Sequence, residues 1–450
     1  MQQGNRSKRV GDTKEKEEIF LLKKQIQKLT AQLNDRDSQL AEIYMSKEWK
    51  LIQLFHKLVP PNGWLARMGA RLFSTVAEFI QWANLFLLQK RYRAANIRDR
   101  RNHARVTGQD NRELQQKYIK GKSKIGYIIP GTAISGGVAV VCEHVNRLLL
   151  RGHNVSIIAQ NNSDRIPWFP NQSAPVYPLG QIKGDAYDII VATSWGTAYA
   201  ANLLNADRKI YFVQSDESRF YKPNGLKSKW ANKTYRMDFE FITMAKWLRD
   251  WLKSEFGHDA IYVPNGINEQ IIFQDTALAP KGEKIRILLE GPIDIPFKGM
   301  KEAFLAVEGL DCEVWCVSTL GRPKPEWKCD KFFEKVPFGK IRHIYSSCDI
   351  LLKMSRVESF AYPPLEMMAC GGTAVVGKVT GIDEYIVDGY NALVVGQGDI
   401  EGAHLALKTL IEDERLRNEL INNGKKTAEK FRWDASIDIL ERLFINDSAK

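Results

Sequence analysis

The stretch SRVESFAYPPLEMMACGGTAVV, residues 355–376, sets two glutamates, Glu358 and Glu366, on either side of a Tyr-Pro-Pro. The apolar run DILLKM leads into it, and a Gly-Gly followed by a second apolar run leads out. Short apolar runs bounded by turn residues read as buried strands, and the segment between these two reads as a helix. Pro363 and Pro364 suit its first turn, where N–H groups have no intrahelical acceptor. Gly371 and Gly372 suit its end. The unit is strand, turn, helix, strand, with Glu358 delivered by the strand's C-terminal end and Glu366 placed in the first helical turn. Two strands joined by a helix belong to a parallel sheet.

The same texture extends in both directions. KIGYIIPG, NVSIIAQ, YDIIVATS, KIYFVQS and AIYVPNGI form one series of buried strands from residue 124. GEKIRILLEGP, CEVWCVS, DILLKMS, TAVVGKV and ALVVG form a second from residue 282, followed by one helix of good formers over about 400–430. Alternation of this kind predicts an α/β protein with two doubly wound parallel sheets, joined around QDTALAPKG. A chain of 450 residues is too long for one ordinary core, which agrees with two domains. Ligands of such sheets bind beyond the strand C-termini, so facing domains enclose a cleft there.

Several strand ends carry chemistry. In IIPGTAISGGVAVVCEHV, Gly136 and Gly137 open a helix, where free N–H groups and the macrodipole favour phosphate. The G-x-G-x-x-G spacing is absent, and a plain tight turn fits as well. In LLEGPIDIPFKGM, Lys298 precedes Gly299 and reads either as a mobile cation for a diphosphate or as a solvated surface lysine. Glu366 suits a ribose diol, because a carboxylate accepts from two adjacent hydroxyls; Glu358 suits sugar hydroxyls. The plainer alternatives are a carboxylate complementing the helix dipole and a solvated one.

Composition narrows the class. Residues 1–124 hold 26 basic against 12 acidic residues, a net of +14, and the remainder 39 against 41, a net of −2. The protein is therefore a near-neutral body with a basic appendage. The first eighteen residues are polar and charged, so no secretory signal is read, and the compartment expected is the cytoplasm. The six cysteines lie mostly in apolar runs without metal-ligand spacing and read as reduced core residues.

Within the appendage, Ile19, Leu22, Ile26, Leu29, Leu33, Arg36, Leu40 and Ile43 step by three and four, a heptad seam that predicts a parallel homodimer through residues 19–43. A single amphipathic helix packed on the body is the alternative. After VPPNG, Leu65, Met68, Leu72, Val76, Phe79, Ile80, Ala83 and Leu87 form one apolar face with Trp64 and Trp82 near its ends and arginines flanking it. That pattern suits an anionic membrane surface or, equally, a helix docked on protein. The basic run lacks interleaved base-stacking aromatics, so nucleic acid is not an expected partner.

The pattern S-x-x-E-S-F-x-x-P-x-L-E-x-M-A-x-G, together with GGVAVVCEHVNRLLLRGHNVSII, VPNGIN, the Gly291…Lys298-Gly299 segment, TGIDEYIVDGYNALVV and the closing FRWDASIDILERLF, resembles the retaining family 4 glycosyltransferases over roughly 124–445. YFVQSDESRFY, ATSWGTAYA and YPPLEM are similar to a subgroup containing rhamnosyltransferases of bacterial surface-glycan clusters. SKEWKLIQLFHKLVPPNGW resembles a leader found before such enzymes.

The resemblance implies a GT-B fold of two facing Rossmann-like domains, and a nucleotide-diphosphate sugar as co-substrate with no other cofactor and no metal. It implies a glycan or lipid-linked acceptor and retention of configuration. It places Glu366 on the ribose and Glu358 on the donor sugar. Lys298 falls on the diphosphate, with Gly136, Gly137, Gly381 and Ile382 near the phosphates and Phe360 also on the donor side. Trp195, Asp216 and Glu217 fall in the acceptor or sugar pocket. The chain departs from the family at Pro292, where an arginine is usual; Arg356 is the candidate replacement. The family's histidine is not evident either, and Thr193, Ser194 and Trp195 stand in that region. Nucleotide-sugar epimerases share this fold, and a non-catalytic coiled-coil scaffold is a third reading.

The domain expectation is a disordered basic tail (1–18), a coiled coil with leader helix (19–58), a basic amphipathic helical region (59–123), an acceptor domain (124–275), a nucleotide-sugar domain (276–430) and a crossover helix (431–450). The enzyme is expected at the inner face of the cytoplasmic membrane.

Overall fold

The computed structural model describes residues 123–445, apart from 162 and 183–186. The predicted tail, coiled coil and amphipathic helical region lie outside the described residues.

The N-terminal half runs β1 (Lys124–Ile129), α1 (Gly136–Leu150), β2 (Asn154–Ala159), β3 (Val176–Pro178), β4 (Ile189–Ala192), α2 (Trp195–Leu203), β5 (Arg208–Val213), α3 (Leu226–Thr234), β6 (Glu240–Thr243), α4 (Lys246–Phe256) and β7 (Ile261–Tyr262). The C-terminal half runs β8 (Arg286–Glu290), α5 (Met300–Ala306), β9 (Glu313–Ser318), β10 (Lys331–Glu334), α6 (Ile341–Tyr345), β11 (Ile350–Lys353), α7 (Tyr362–Ala369), β12 (Thr373–Gly377) and β13 (Leu393–Val395). It closes with α8 (Ile400–Glu412), α9 (Glu414–Ala428) and α10 (Trp433–Ile445).

Each half is one parallel sheet, ordered β3-β2-β1-β4-β5-β6-β7 and β10-β9-β8-β11-β12-β13. Continuous apolar strands explain why: β2, β4, β11 and β12 are buried along their whole length, so helices must cover both faces. The two-domain, Rossmann-like architecture expected from the sequence is the one observed.

Some local readings are corrected. The single helix expected over 400–430 is two, because the Asp413 side chain accepts the Leu416 N–H at 2.8 Å and starts a new helix. Glu366 is the fifth residue of α7, so it sits past the first turn, facing inward. Strands β3, β6 and β10 were not read, since VYP, EFIT and KFFE are short and broken by proline or charge.

Helix α10 returns to the N-terminal half. Arg151 at the end of α1 reaches Asp438 at 2.5 Å and Glu441 at 2.6 Å. Trp433 is buried at 2% exposure, and a Cβ on Gly266 would lie 2.6 Å from the Trp433 nitrogen. A side chain at 266 would push that helix away.

Strand order reverses between β1 and β4 in one sheet and between β8 and β11 in the other. The crevices beyond those strand ends are where an open α/β sheet binds ligand. Gly136–Gly137, Trp195, Lys298 and Glu358 follow β1, β4, β8 and β11, while the Asp216–Glu217 and Gly381–Ile382 segments follow β5 and β12.

Candidate functional site

The floor of the cleft is built where β8 and β11 end side by side. After β8 the chain loops through a short 3₁₀ turn, Pro296–Lys298, to Gly299. Gly299 has φ +66°, and a Cβ there would stand 1.9 Å from the Met354 carbonyl oxygen. Only glycine lets the loop lie against the exit of β11. That approach carries Lys298 Nζ to 2.8 Å from Glu358 Oε1. The two residues expected on diphosphate and donor sugar therefore form one ion pair.

A third charge joins them that sequence reasoning missed. Lys353, the last residue of β11, is buried; its Nζ donates to the Glu290 carbonyl oxygen at 2.9 Å and lies 3.8 Å from Glu358 Oε1. Burial pulls its ammonium below the usual lysine range, opposed chiefly by Glu358. Burial acts on Glu358 in the other sense, but Lys353 and Lys298 outweigh it and hold that carboxyl below the usual range. A lysine ending an otherwise apolar strand, ILLK, was the available signal.

Beyond Glu290 the charge pattern changes. Tyr345 stands between two buried carboxyls, bonded to Glu290 and, at 2.9 Å, to Glu366. A phenol has one proton to donate, so a second short contact requires a protonated carboxyl on the other side. Burial, reinforced by Glu290, pushes the Glu366 carboxyl up to about 8, and burial raises Glu290 as well. Both line a cavity of about 250 Å³ shared with Gly136, Glu143, Asn268 and Phe338. Its walls come from both halves of the described chain. Lys298 and Glu358 are not among them.

The opposite wall starts with α1. Ser135 precedes this helix in extended conformation and its side chain caps none of the first-turn N–H groups. Gly136 has nothing within 4 Å of a would-be Cβ, while at Gly137 the Gln214 amide stands 3.2 Å away. One glycine opens onto the cavity and the other packs. Deeper in the wall, Glu143 accepts from Asn268 Nδ2 at 2.7 Å.

The remaining candidates divide. Trp195 begins α2 with its N–H donating to Glu217 Oε1 at 2.7 Å and its indole N–H donating to Tyr221 at 3.0 Å. Glu217 lies beneath it, also accepting from Tyr211, and burial raises its carboxyl to about 7. Asp216 accepts from the Ser218 N–H and hydroxyl at 3.1 and 2.6 Å. Glu217 thus holds the start of α2 at Trp195, and Asp216 caps its own turn at Ser218. Phe360 is buried among Tyr362, Tyr385 and Phe431. Gly381, at φ +87°, packs where a Cβ would meet the Ser359 oxygen at 2.1 Å. Its N–H is bonded to Asp383 at 3.1 Å, and Ile382 is buried. Arg356 is corrected: its guanidinium is half exposed and bound to Glu302 at 2.5 Å, apart from the buried cluster. The loop leaving β11 turns it outward while keeping Glu358 in.

The halves meet around this cluster. Ser359 Oγ donates to Ser215 Oγ at 2.6 Å, the Trp247 indole to the Ser359 oxygen at 3.0 Å, and Arg219 to Thr380 Oγ1 at 3.1 Å. Phe220 stacks on Phe297 and Phe169 on Phe338 at ring separations of 5.8 and 5.9 Å.

Known proteins resemble this chain in sequence and in fold. Residues 331–427 match the family of glycosyl transferases group 1. An uncharacterised glycosyltransferase of Methanocaldococcus jannaschii is 25% identical over 216 residues, 46% of this chain and 59% of its own. The O-antigen biosynthesis protein RfbC of Myxococcus xanthus is 23% identical over 273 residues, 59% of this chain and 21% of its own. The chain thus spans about three fifths of one relative and a fifth of the other. The Anabaena protein HepE, solved with UDP and glucose, superposes with a TM-score of 0.60 over 72% of this chain and all of its own at 15% identity. The chain carries a group 1 glycosyl transferase domain on a GT-B fold.

Proposed function

We propose that the protein is a retaining, metal-independent glycosyltransferase that moves a hexosyl unit from a nucleotide-diphosphate sugar to a glycan or lipid-linked acceptor in bacterial surface polysaccharide synthesis. Rhamnose is the sugar that the sequence resemblance suggests. The observation that carries this reading is the cavity that Glu366 and Gly136 line together, with the Lys298–Glu358 ion pair at the same sheet's switch point as Glu366.

In this reading Glu366 grips the ribose inside the cavity, whose apolar wall at Val336 and Phe338 receives the base. Lys298 meets the diphosphate, where charge grows as the glycosidic bond breaks. Glu358, held ionised between ammonium groups, orients sugar hydroxyls. The uncapped start of α1 faces the phosphates. Trp195 and Tyr221 form the aromatic shelf on which an acceptor sugar lies. The O-antigen biosynthesis relative supports a surface-glycan acceptor.

The appendage rests on sequence alone: dimerisation through residues 19–43 and attachment to an anionic membrane surface by the helical region that follows. Among the described residues no helix is long and apolar enough to cross a membrane. Flotation of the full chain and of a chain lacking residues 1–120 with anionic and neutral vesicles tests the attachment.

The activity is tested by a thermal-shift screen against UDP, GDP, ADP and dTDP sugars, followed by product analysis with glycan acceptors. A ligand that binds only the folded state raises its melting temperature. An epimerase would convert the donor without acceptor. Absence of stabilisation by every nucleotide sugar would overturn the reading.

A further inference from the structure

We propose that Lys353 is a second diphosphate-binding cation, reaching the site from inside the C-terminal sheet. The inference rests on the glycosyltransferase reading and adds to it a residue that none of the sequence motifs singles out.

The loop from Gly291 to Phe297 contains no lysine or arginine, and Arg356 is spent on Glu302 at the surface. Lys298 would then face a dianion alone, and it already shares Glu358. Lys353 supplies the missing charge. Its side chain is 5% exposed and rises from the end of β11, beside the end of β8, at the crevice where strand order reverses. Gly291 lies beside it: a Cβ there would stand in ordinary contact with its Nζ, at 3.6 Å.

An ammonium has three N–H donors. Among the described residues Lys353 uses one in a hydrogen bond, to the Glu290 carbonyl at 2.9 Å, and Glu358 at 3.8 Å is beyond hydrogen-bond length. A buried cation with unspent donors is costly to keep unless something meets it. Glu358 is shared, since Lys298 holds it at 2.8 Å, and the Glu290 and Glu366 carboxyls that also act on Lys353 are raised by burial. A diphosphate supplies oxygens that accept from both lysines. As a positioning element Lys353 also ties β8 to β11, so its binding role must be separated from that one.

The experiment measures, by titration calorimetry on the full chain, the affinities of nucleoside, nucleoside diphosphate and inorganic pyrophosphate, using the base that binds best among uridine, guanosine, adenosine and thymidine. Lys353→Met should weaken nucleoside diphosphate and pyrophosphate by about ten- to a hundredfold, the worth of a charged hydrogen bond, and leave the nucleoside unchanged. Lys353→Arg should recover part of the loss. Unchanged diphosphate affinity in Lys353→Met overturns the proposal. Equal loss of nucleoside and diphosphate also overturns it, since that is the signature of a tie between strands. If the parent binds neither nucleotides nor pyrophosphate, the glycosyltransferase reading itself fails.

Discussion

The two walls of the cleft use charge in opposite ways. The C-terminal wall keeps Lys298, Lys353, Glu358, Glu290 and Glu366 largely out of water, fixed by one another and by Tyr345. The N-terminal rim keeps its charge in water: from Ser218 to Met237 there are six basic residues and no acidic one. Lys222, Lys229, Lys233 and Arg236 in that run are exposed. Buried charges select one geometry, because a misplaced partner leaves a desolvated ion. Exposed charges select a sign and tolerate many shapes. In the proposed reading, donor recognition asks for the first and a polymeric or lipid-linked acceptor for the second.

The largest test of that contrast removes a buried charge at the point where negative charge develops. Lys298→Ala should lower turnover at saturating donor by roughly 10²–10³, in the range seen when one transition-state donor is lost. Single-turnover kinetics separates this from product release. An unchanged rate would reduce Lys298 to a partner of Glu358.

Next comes Glu366, the floor of the cavity. Glu366→Ala should weaken donor binding by roughly 1–3 kcal/mol, the cost of ribose hydroxyls left unpaired in a closed site. Calorimetry with the nucleoside alone reads this directly, because the diphosphate lysines do not touch it. Equal affinities in parent and variant would remove the ribose role.

The same carboxyl gives a stability test without ligand. Its folded value is raised from 4.5 to about 8, first by burial and then by Glu290. A group raised in this way contributes stability fully below its unfolded value and loses it as pH rises through the folded one. Glu366→Gln cannot ionise. Its melting temperature relative to the parent should therefore rise between pH 5 and pH 9, and a flat difference across that interval would show Glu366 ionised throughout, as it is in the unfolded chain.

How much of this was legible in the sequence follows from how each residue signals. Glu358, Glu366 and Lys298 sit beside prolines and glycines whose backbone demands mark strand ends, so pattern draws notice to them, while their roles come from the resemblance. Lys353 ends a strand of apolar residues and makes its contacts with residues 63 and 5 positions away, which periodicity cannot connect. Arg356 fails for the complementary reason: two residues before Glu358 in an irregular loop, its direction depends on a turn that no local preference sets. Asp216 and Glu217 are pocket acids only by the resemblance; in the structure they accept from the N–H groups of Ser218 and Trp195.

The smallest expected effect belongs to the exposed rim. Lys222, Lys229 and Lys233 have no carboxylate partner among the described residues, and Phe220 beside them is 41% exposed while stacking on Phe297 at the cleft mouth. Replacing all three by glutamate takes that run from six basic residues to three basic and three acidic, cancelling its net charge without touching the buried cluster. Acceptor KM should rise several-fold at low ionic strength, while donor affinity and folding stay as in the parent. At 0.15 M salt the Debye length is roughly 8 Å, so the difference should shrink as salt is added. Had the rim been a specific pocket rather than a field, the loss would be larger and would persist at high salt. A triple variant with unchanged acceptor KM at every salt concentration would instead move acceptor recognition wholly to the aromatic shelf at Trp195 and Tyr221.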